Sequence, residues 1–288
     1  MTLTTRPRST ATHLSTGRRA PIPRRRRLLE VVAFVAVWVA TGYLLDLSAD
    51  AYLLLGVPLT AAFQLVVRRR PLRELFADGT SRFALSRRGA LVAAVLALVP
   101  GYHAVQALLA ADWILAAWNL AAIAGAVTAA FSVRAGSVLE TLRAAALPIT
   151  VGATGFTLVF GAVHVVTGTP LPLASALMAV AKYTALYFPA TFLLEEVAFR
   201  GALDAHLHHD GDSRGWQSAV LVSALWGLWH LPVSSGHSVP MLVAQLLAVH
   251  VVLGVPLSLA WRRHRNLSGP ALAHAVNDAV RNAAMLGL

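Results

Sequence analysis

Apolar residues along the 288-residue chain gather into long runs separated by short polar connections in which arginine recurs. The runs cover Leu28 to Leu47, Ala49 to Val67, Gly89 to Ala110, Asp112 to Val133 and Ala144 to Val166. A sixth begins near Leu173 and continues through Lys182 and Pro189 to Leu203 or beyond, with a kink expected at Pro189. Three more span Trp216 to Val233, Val239 to Trp261 and Leu267 to Leu288. Runs of this length suit helices that cross a hydrocarbon layer about 30 Å thick. The pattern therefore predicts an all-α, polytopic transmembrane helical bundle of about eight to nine spans.

Composition agrees. Hydrophobic residues make up 57% of the chain and charged residues 13%, with a mean hydropathy of +0.64, whereas soluble domains average about 25% charged. With no cysteine, disulfides, iron–sulfur clusters, thiolate metal sites and a cysteine nucleophile are excluded. The net charge of +11 does not point to nucleic acid, because the arginines lie between apolar runs, where anionic lipid attracts them.

Residues 1–27 contain no acid and end in Pro-Ile-Pro-Arg-Arg-Arg-Arg, which predicts a disordered basic tail at the inner membrane surface. The following run is too long for a signal-peptide core and reads as an uncleaved first span. With the tail cytoplasmic, Arg68 to Arg88, which holds seven arginines and two acids, lies on the same side. So do Arg134 to Arg143, His206 to Arg214 and Arg262 to Arg265, while the opposite connections carry almost no basic residue. This alternation predicts a multi-pass protein of the cell membrane with its N-terminus inside.

Chemistry concentrates in Phe-Leu-Leu-Glu-Glu-Val-Ala-Phe-Arg-Gly, residues 192–201. A charge at the bilayer centre costs from roughly 3 to more than 10 kcal/mol, so ionisable groups there are functional candidates. Glu196 and Arg200 are four residues apart and share a helix face, which allows pairing. Glu195 lies about 100° round an α-helix from Glu196, outside that pairing, and suits a general base. Taken alone, such a pair of glutamates is as readily a solvated helix mouth.

Two further groups follow. His230 lies in Ala-Leu-Trp-Gly-Leu-Trp-His-Leu-Pro, flanked by Trp226 and Trp229, where an isolated histidine is more often a packing residue than a ligand. His274 and Asp278 stand one turn apart on the last run, with Asn277 pointing elsewhere. Helices packed with these faces inward would gather two carboxylates, two imidazoles and a further acid around a cavity.

The three motifs, Glu195-Glu196-Val-Ala-Phe-Arg200, Trp226-x-x-x-His230 and His274-x-x-x-Asp278, resemble the CPBP family of intramembrane proteases, also called the Abi family: CAAX prenyl endopeptidases and bacteriocin-processing or self-immunity proteins. The resemblance covers about Leu173 to Leu288. It implies a conical or cavity-forming catalytic core at residues 171–288, preceded by helices of unassigned role at 28–170. It further implies an endopeptidase in which Glu195, helped by Glu196 and His230, activates a water. His274, with Asp278 protonated or acting indirectly, would stabilise the oxyanion, and Arg200 would fix Glu196.

Two residues depart from the family's pattern. Trp226 replaces the usual Phe, a change in a packing position. Asp278 stands where an asparagine would donate to an oxyanion, which an ionised aspartate cannot do. Asp278 is then protonated, orients His274, or binds a cation. The family has been described both as metal-dependent and as metal-independent. His230, His274, Glu195 and Asp278 are the candidate ligands of a divalent ion such as zinc, and a metal-free mechanism is equally open.

The alternative from another class is a non-catalytic member of the fold acting as an immunity or scaffold partner. A proton-coupled transporter is disfavoured by the confinement of polar groups to the C-terminal half. The expected substrate is a peptide or membrane protein in the lipid bilayer: a signalling peptide, a bacteriocin leader or a membrane-protein tail. His206, His208 and His209 with Asp204, Asp210 and Asp212 read as a solvated loop, Lys182 as a snorkelling side chain, and His103, His164 and His250 as packing or interfacial residues.

Overall fold

The structure, a computed structural model, describes residues 22–80, 82–209, 215–236 and 238–286. Most of the expected tail, and Asp210 and Asp212 of the polar connection, lie outside the described residues. The described residues form a helical bundle without strands. Its elements are α1 (Arg24–Leu44), α2 (Ala49–Ala62), α3 (Arg87–Leu109), α4 (Trp113–Ala135), α5 (Val138–Thr167), α6 (Leu173–Thr191), the single turn α7 (Ala205–Leu207), α8 (Gly215–Trp229), α9 (Val239–His264) and α10 (Ser268–Ala284). Between α6 and α7 the chain winds as a π-helix, Phe192–Asp204.

Side-chain caps explain several helix starts. Ser48, Ser86, Asp112 and Ser137 each accept the backbone N–H three residues on, opening α2, α3, α4 and α5. The tight turn from α3 to α4 places Ala111 in the left-handed region at φ 55°. Helix α1 begins at Arg24, inside the stretch expected to be tail, and Arg27 is buried with Nη1 donating to the Leu207 carbonyl at 3.0 Å.

Among the described residues seven helices are long and apolar enough to cross a membrane, the sixth running without a break from Leu173 to Leu207. The chain is thus a multi-pass membrane protein. The other two expected spans are shorter. Helix α8 has 15 residues, ended by the turn that carries Pro232, and α10 has 17. At 1.5 Å per residue they reach about 22 and 26 Å, short of a full hydrocarbon thickness. Neither has to face lipid all round. Helix α10 packs along α5 and α6, and α8 packs against α9.

The centre of the bundle is the π-helix. From Leu194 to Asp204 every side chain is buried, and α2, α4, α8, α9 and α10 all touch it. A π-helix carries more residues per turn than an α-helix and is found mostly as short insertions at functional sites. Pro189 stays inside α6, and the wider winding begins three residues later.

Arg68 to Arg88, expected to be a free loop, folds back onto the bundle. Leu75 and Ala77 are buried, the Phe76 carbonyl accepts from Leu267 N–H and Ser132 Oγ–H, and Asp78 N–H donates to the Arg265 carbonyl. This approach is so close that a Cβ on Gly201 would lie 2.4 Å from the Leu75 carbonyl oxygen. Only glycine fits there.

The N-terminal helices brace the C-terminal ones. Trp38 of α1 packs against Tyr52, Phe199 and Trp229, and the Tyr52 hydroxyl donates to the Trp229 carbonyl at 2.8 Å. That bond holds the backbone next to His230.

Candidate active site

The π-helix presents Glu195, Glu196 and Arg200, each buried. Glu196 Oε1 accepts from Arg200 Nη1 and from His274 Nδ1, both at 2.8 Å. Its carboxylate is wholly enclosed and tied to two cation-forming partners, so Glu196 positions its neighbours and is not available to a substrate. The imidazole of His274 is thereby oriented, and its Nε2 lies 3.4 Å from Asp278 Oδ2 and 3.9 Å from Glu195 Oε2. The side chains of Glu195 and Asp278 are 11% and 19% exposed, against 0% for Glu196 and 4% for His274. The site is most open to solvent on the Glu195–Asp278 side.

Trp226 of α8 joins the cluster. Its indole N–H donates to Glu195 Oε2 at 2.9 Å. The ring face sits 4.4 Å from the Arg200 guanidinium carbon, a cation–π contact for a cation whose Nε and Nη2 have no hydrogen-bond partner. Its edges meet His230, His250 and His274 at centroid distances of 5.9, 4.6 and 4.9 Å. Expected to be a packing replacement for Phe, Trp226 is instead a hydrogen-bond donor to the candidate base. Phe has no such donor.

His230 donates Nδ1–H to the Trp226 carbonyl at 2.9 Å. His250 of α9, expected to be a packing or interfacial residue, donates Nδ1–H to the Leu246 carbonyl at 2.7 Å, and its ring centroid is 4.3 Å from that of His230. Each ring keeps Nε2 for other partners. His250 belongs to no motif in the sequence, and only its depth in an apolar span marked it. Arg281 was likewise unmarked. Its Nη1 lies 3.3 Å from Asp278 Oδ1, a pairing that its i+3 spacing allows.

The remaining polar groups serve structure. His164 bridges α5 to the end of α10, one ring nitrogen on the Thr169 carbonyl and the other on that of Ala284, both at 2.9 Å. Asn277 points away from the site and donates to the Pro148 carbonyl at 3.2 Å. Asp204 and His206 are not in a solvated loop. Asp204 is fully buried in a bidentate pair with Arg262, and His206 is bonded to Glu30 at 2.7 Å. The long π-helix carries them into the bundle.

The candidate metal ligands His230, His274, Glu195 and Asp278 do not fit a metal as arranged. No group of three or more His, Asp or Glu among the described residues is placed to hold an ion.

Residues 175–280 match the model of type II CAAX prenyl endopeptidase Rce1-like proteins. Over that segment the chain is similar to the CAAX proteases. The match takes in nearly all of α6, the π-helix, α7, α8, α9 and most of α10, so Glu195, Glu196, Arg200, Trp226, His230, His250, His274 and Asp278 lie inside it and Arg281 just beyond. No curated protein matches the chain, and neither does any solved structure.

Proposed function

We propose that the chain is an intramembrane endopeptidase that hydrolyses a peptide bond through a water activated by Glu195. The observation that carries this reading is the facing pair of Glu195 Oε2 and His274 Nε2, 3.9 Å apart, with Glu196 holding His274 from behind. A base and a donor so placed can address the two sides of one carbonyl carbon.

In this reading Glu195 takes a proton from water as the hydroxide attacks the peptide carbonyl. His274 Nε2–H donates to the oxyanion, a contribution of about 3 to 4 kcal/mol for a preorganised donor. The proton on Glu195 then passes to the departing amine as the C–N bond breaks. Asp278, next to His274 Nε2 and paired with Arg281, acts through His274 and not on the oxyanion. Arg200 holds Glu196 in place. His230 and His250 form the wall beyond Trp226. The step is written without a metal, because the side chains do not converge on one.

The substrate class this supports is a peptide or a membrane-protein tail that enters from the bilayer. The arginine distribution supports an N-terminus on the cytoplasmic side. Comparing peptide termini in membranes expressing the wild type or Glu195→Gln tests the reading. Termini found only with the wild type establish the protease and its substrate. Identical termini, with both proteins folded, leave a scaffold or immunity role.

A further inference from the structure

At the end of the bundle where α1 begins, and α2 and α7 end, a cavity of about 300 Å3 is lined by Arg27, Arg68, Arg70, His206 and His209, with Ile22 and Ala205 as its apolar wall. It is separate from the catalytic cluster. Among the described residues the carboxylates of Glu30, Glu74 and Asp78 lie nearby, and each is engaged, Asp78 facing Arg265 at 3.9 Å. Glu30 accepts from Arg26 and pairs with His206, and Glu74 pairs with Arg70.

Arg68 is the informative member. It is half-buried, and Nη1 donates only to neutral acceptors, the Gln64 side-chain oxygen and the Gly201 carbonyl, both at 2.7 Å. Burial, and secondarily the neighbouring Arg70, push its guanidinium down to about 10, so it is still a cation at neutral pH. A partly desolvated guanidinium without a carboxylate is costly unless an anion offsets it. Its position just past the apolar stretch of α2, beside the first turn of α1, is the depth at which lipid headgroups lie.

We propose that this cavity binds a phosphate group, with Arg68 as its central contact and Arg70 at its rim. Guanidinium donors match phosphate oxygens in pairs. Two sources carry that chemistry, the headgroup of an anionic phospholipid and free phosphate. Because Arg68 also holds the Gly201 carbonyl, next to Arg200, an anion here braces the π-helix, and occupancy is readable as stability.

The test is thermal unfolding of the full chain in uncharged detergent with dioctanoyl phosphatidylglycerol, dioctanoyl phosphatidylcholine, inorganic phosphate, or chloride at matched ionic strength. A saturable rise in Tm of about 3 °C with phosphatidylglycerol but not with phosphatidylcholine identifies a lipid site. The same rise with inorganic phosphate, and not with the lipid, identifies a soluble phosphate ligand. The rise should vanish in Arg68→Gln. It should be at least halved in Arg70→Gln, whose side chain is 55% exposed, so folding is preserved. Arg143→Gln, an exposed arginine outside the cavity, should keep it in full. The proposal is overturned if no phosphate probe raises Tm beyond chloride, or if Arg70→Gln and Arg143→Gln respond alike.

Discussion

The indole N–H of Trp226 donates to Glu195 Oε2 across 2.9 Å, from α8 to the π-helix. This bond holds Oε2, the oxygen that faces His274 Nε2, and so orients the carboxylate of the candidate base. Hydrogen bonds to charged groups contribute about 1.5–3 kcal/mol. Trp226→Phe keeps most of the ring and removes the donor, so kcat should fall about 10- to 100-fold with little change in KM. Steady-state cleavage of a peptide found by terminal proteomics measures both. An unchanged kcat would return Trp226 to a packing role.

The two adjacent glutamates should behave differently. Glu195→Gln should abolish cleavage and leave Tm within about 2 °C of the wild type, since its side chain is at the solvent edge of the site. Glu196→Gln should also destabilise the fold. It strips the counter-charge from a fully buried Arg200, a change that costs about 3–5 kcal/mol. Thermal unfolding in detergent separates the two variants, and equal Tm values would contradict the assignment of Glu196 as the structural carboxylate.

Helix α9 passes so close to Arg200 that a Cβ on Gly254 would lie 3.0 Å from Nη2 and 2.5 Å from Ser223 Oγ. Gly254→Ala should therefore overpack the site at a cost of about 1–3 kcal/mol and lower activity. Adding Ser223→Gly removes the nearer obstacle and should restore most of the lost Tm. A double variant no more stable than Gly254→Ala would place the conflict elsewhere.

Among the described residues no group of three or more His, Asp or Glu is placed as a metal-ligand set. Dialysis against EDTA or 1,10-phenanthroline should therefore leave the cleavage rate within about twofold, whereas loss of a required metal would remove it. Inactivation that added zinc reverses would require His230, His274 and the carboxylates to rearrange around an ion.

Much of this was readable along the chain because it is local. Apolar runs set the helices, and i to i+4 spacing set Glu196 against Arg200 and His274 beside Asp278. That loop Arg68 to Arg88 folds back as a cap was not legible, because its polarity suits water as well as such a cap. Its buried Leu75 and Ala77 show no period a short segment could reveal. His250 was passed over because a lone histidine in an apolar span carries no sign of what faces it.

The sequence alone determined that the chain crosses a membrane, that its ionisable groups cluster in residues 195–278, and which of them pair within one helix. These follow from hydropathy and helical periodicity, which act over one or two turns. Tertiary structure decided which glutamate meets His274, that Trp226 donates to the other, and that His250 and Arg281 stand at the site. Those relationships join residues 31 and 78 positions apart. They depend on how α8, α9 and α10 pack round a helix whose winding widens at Phe192, and no local pattern encodes that angle.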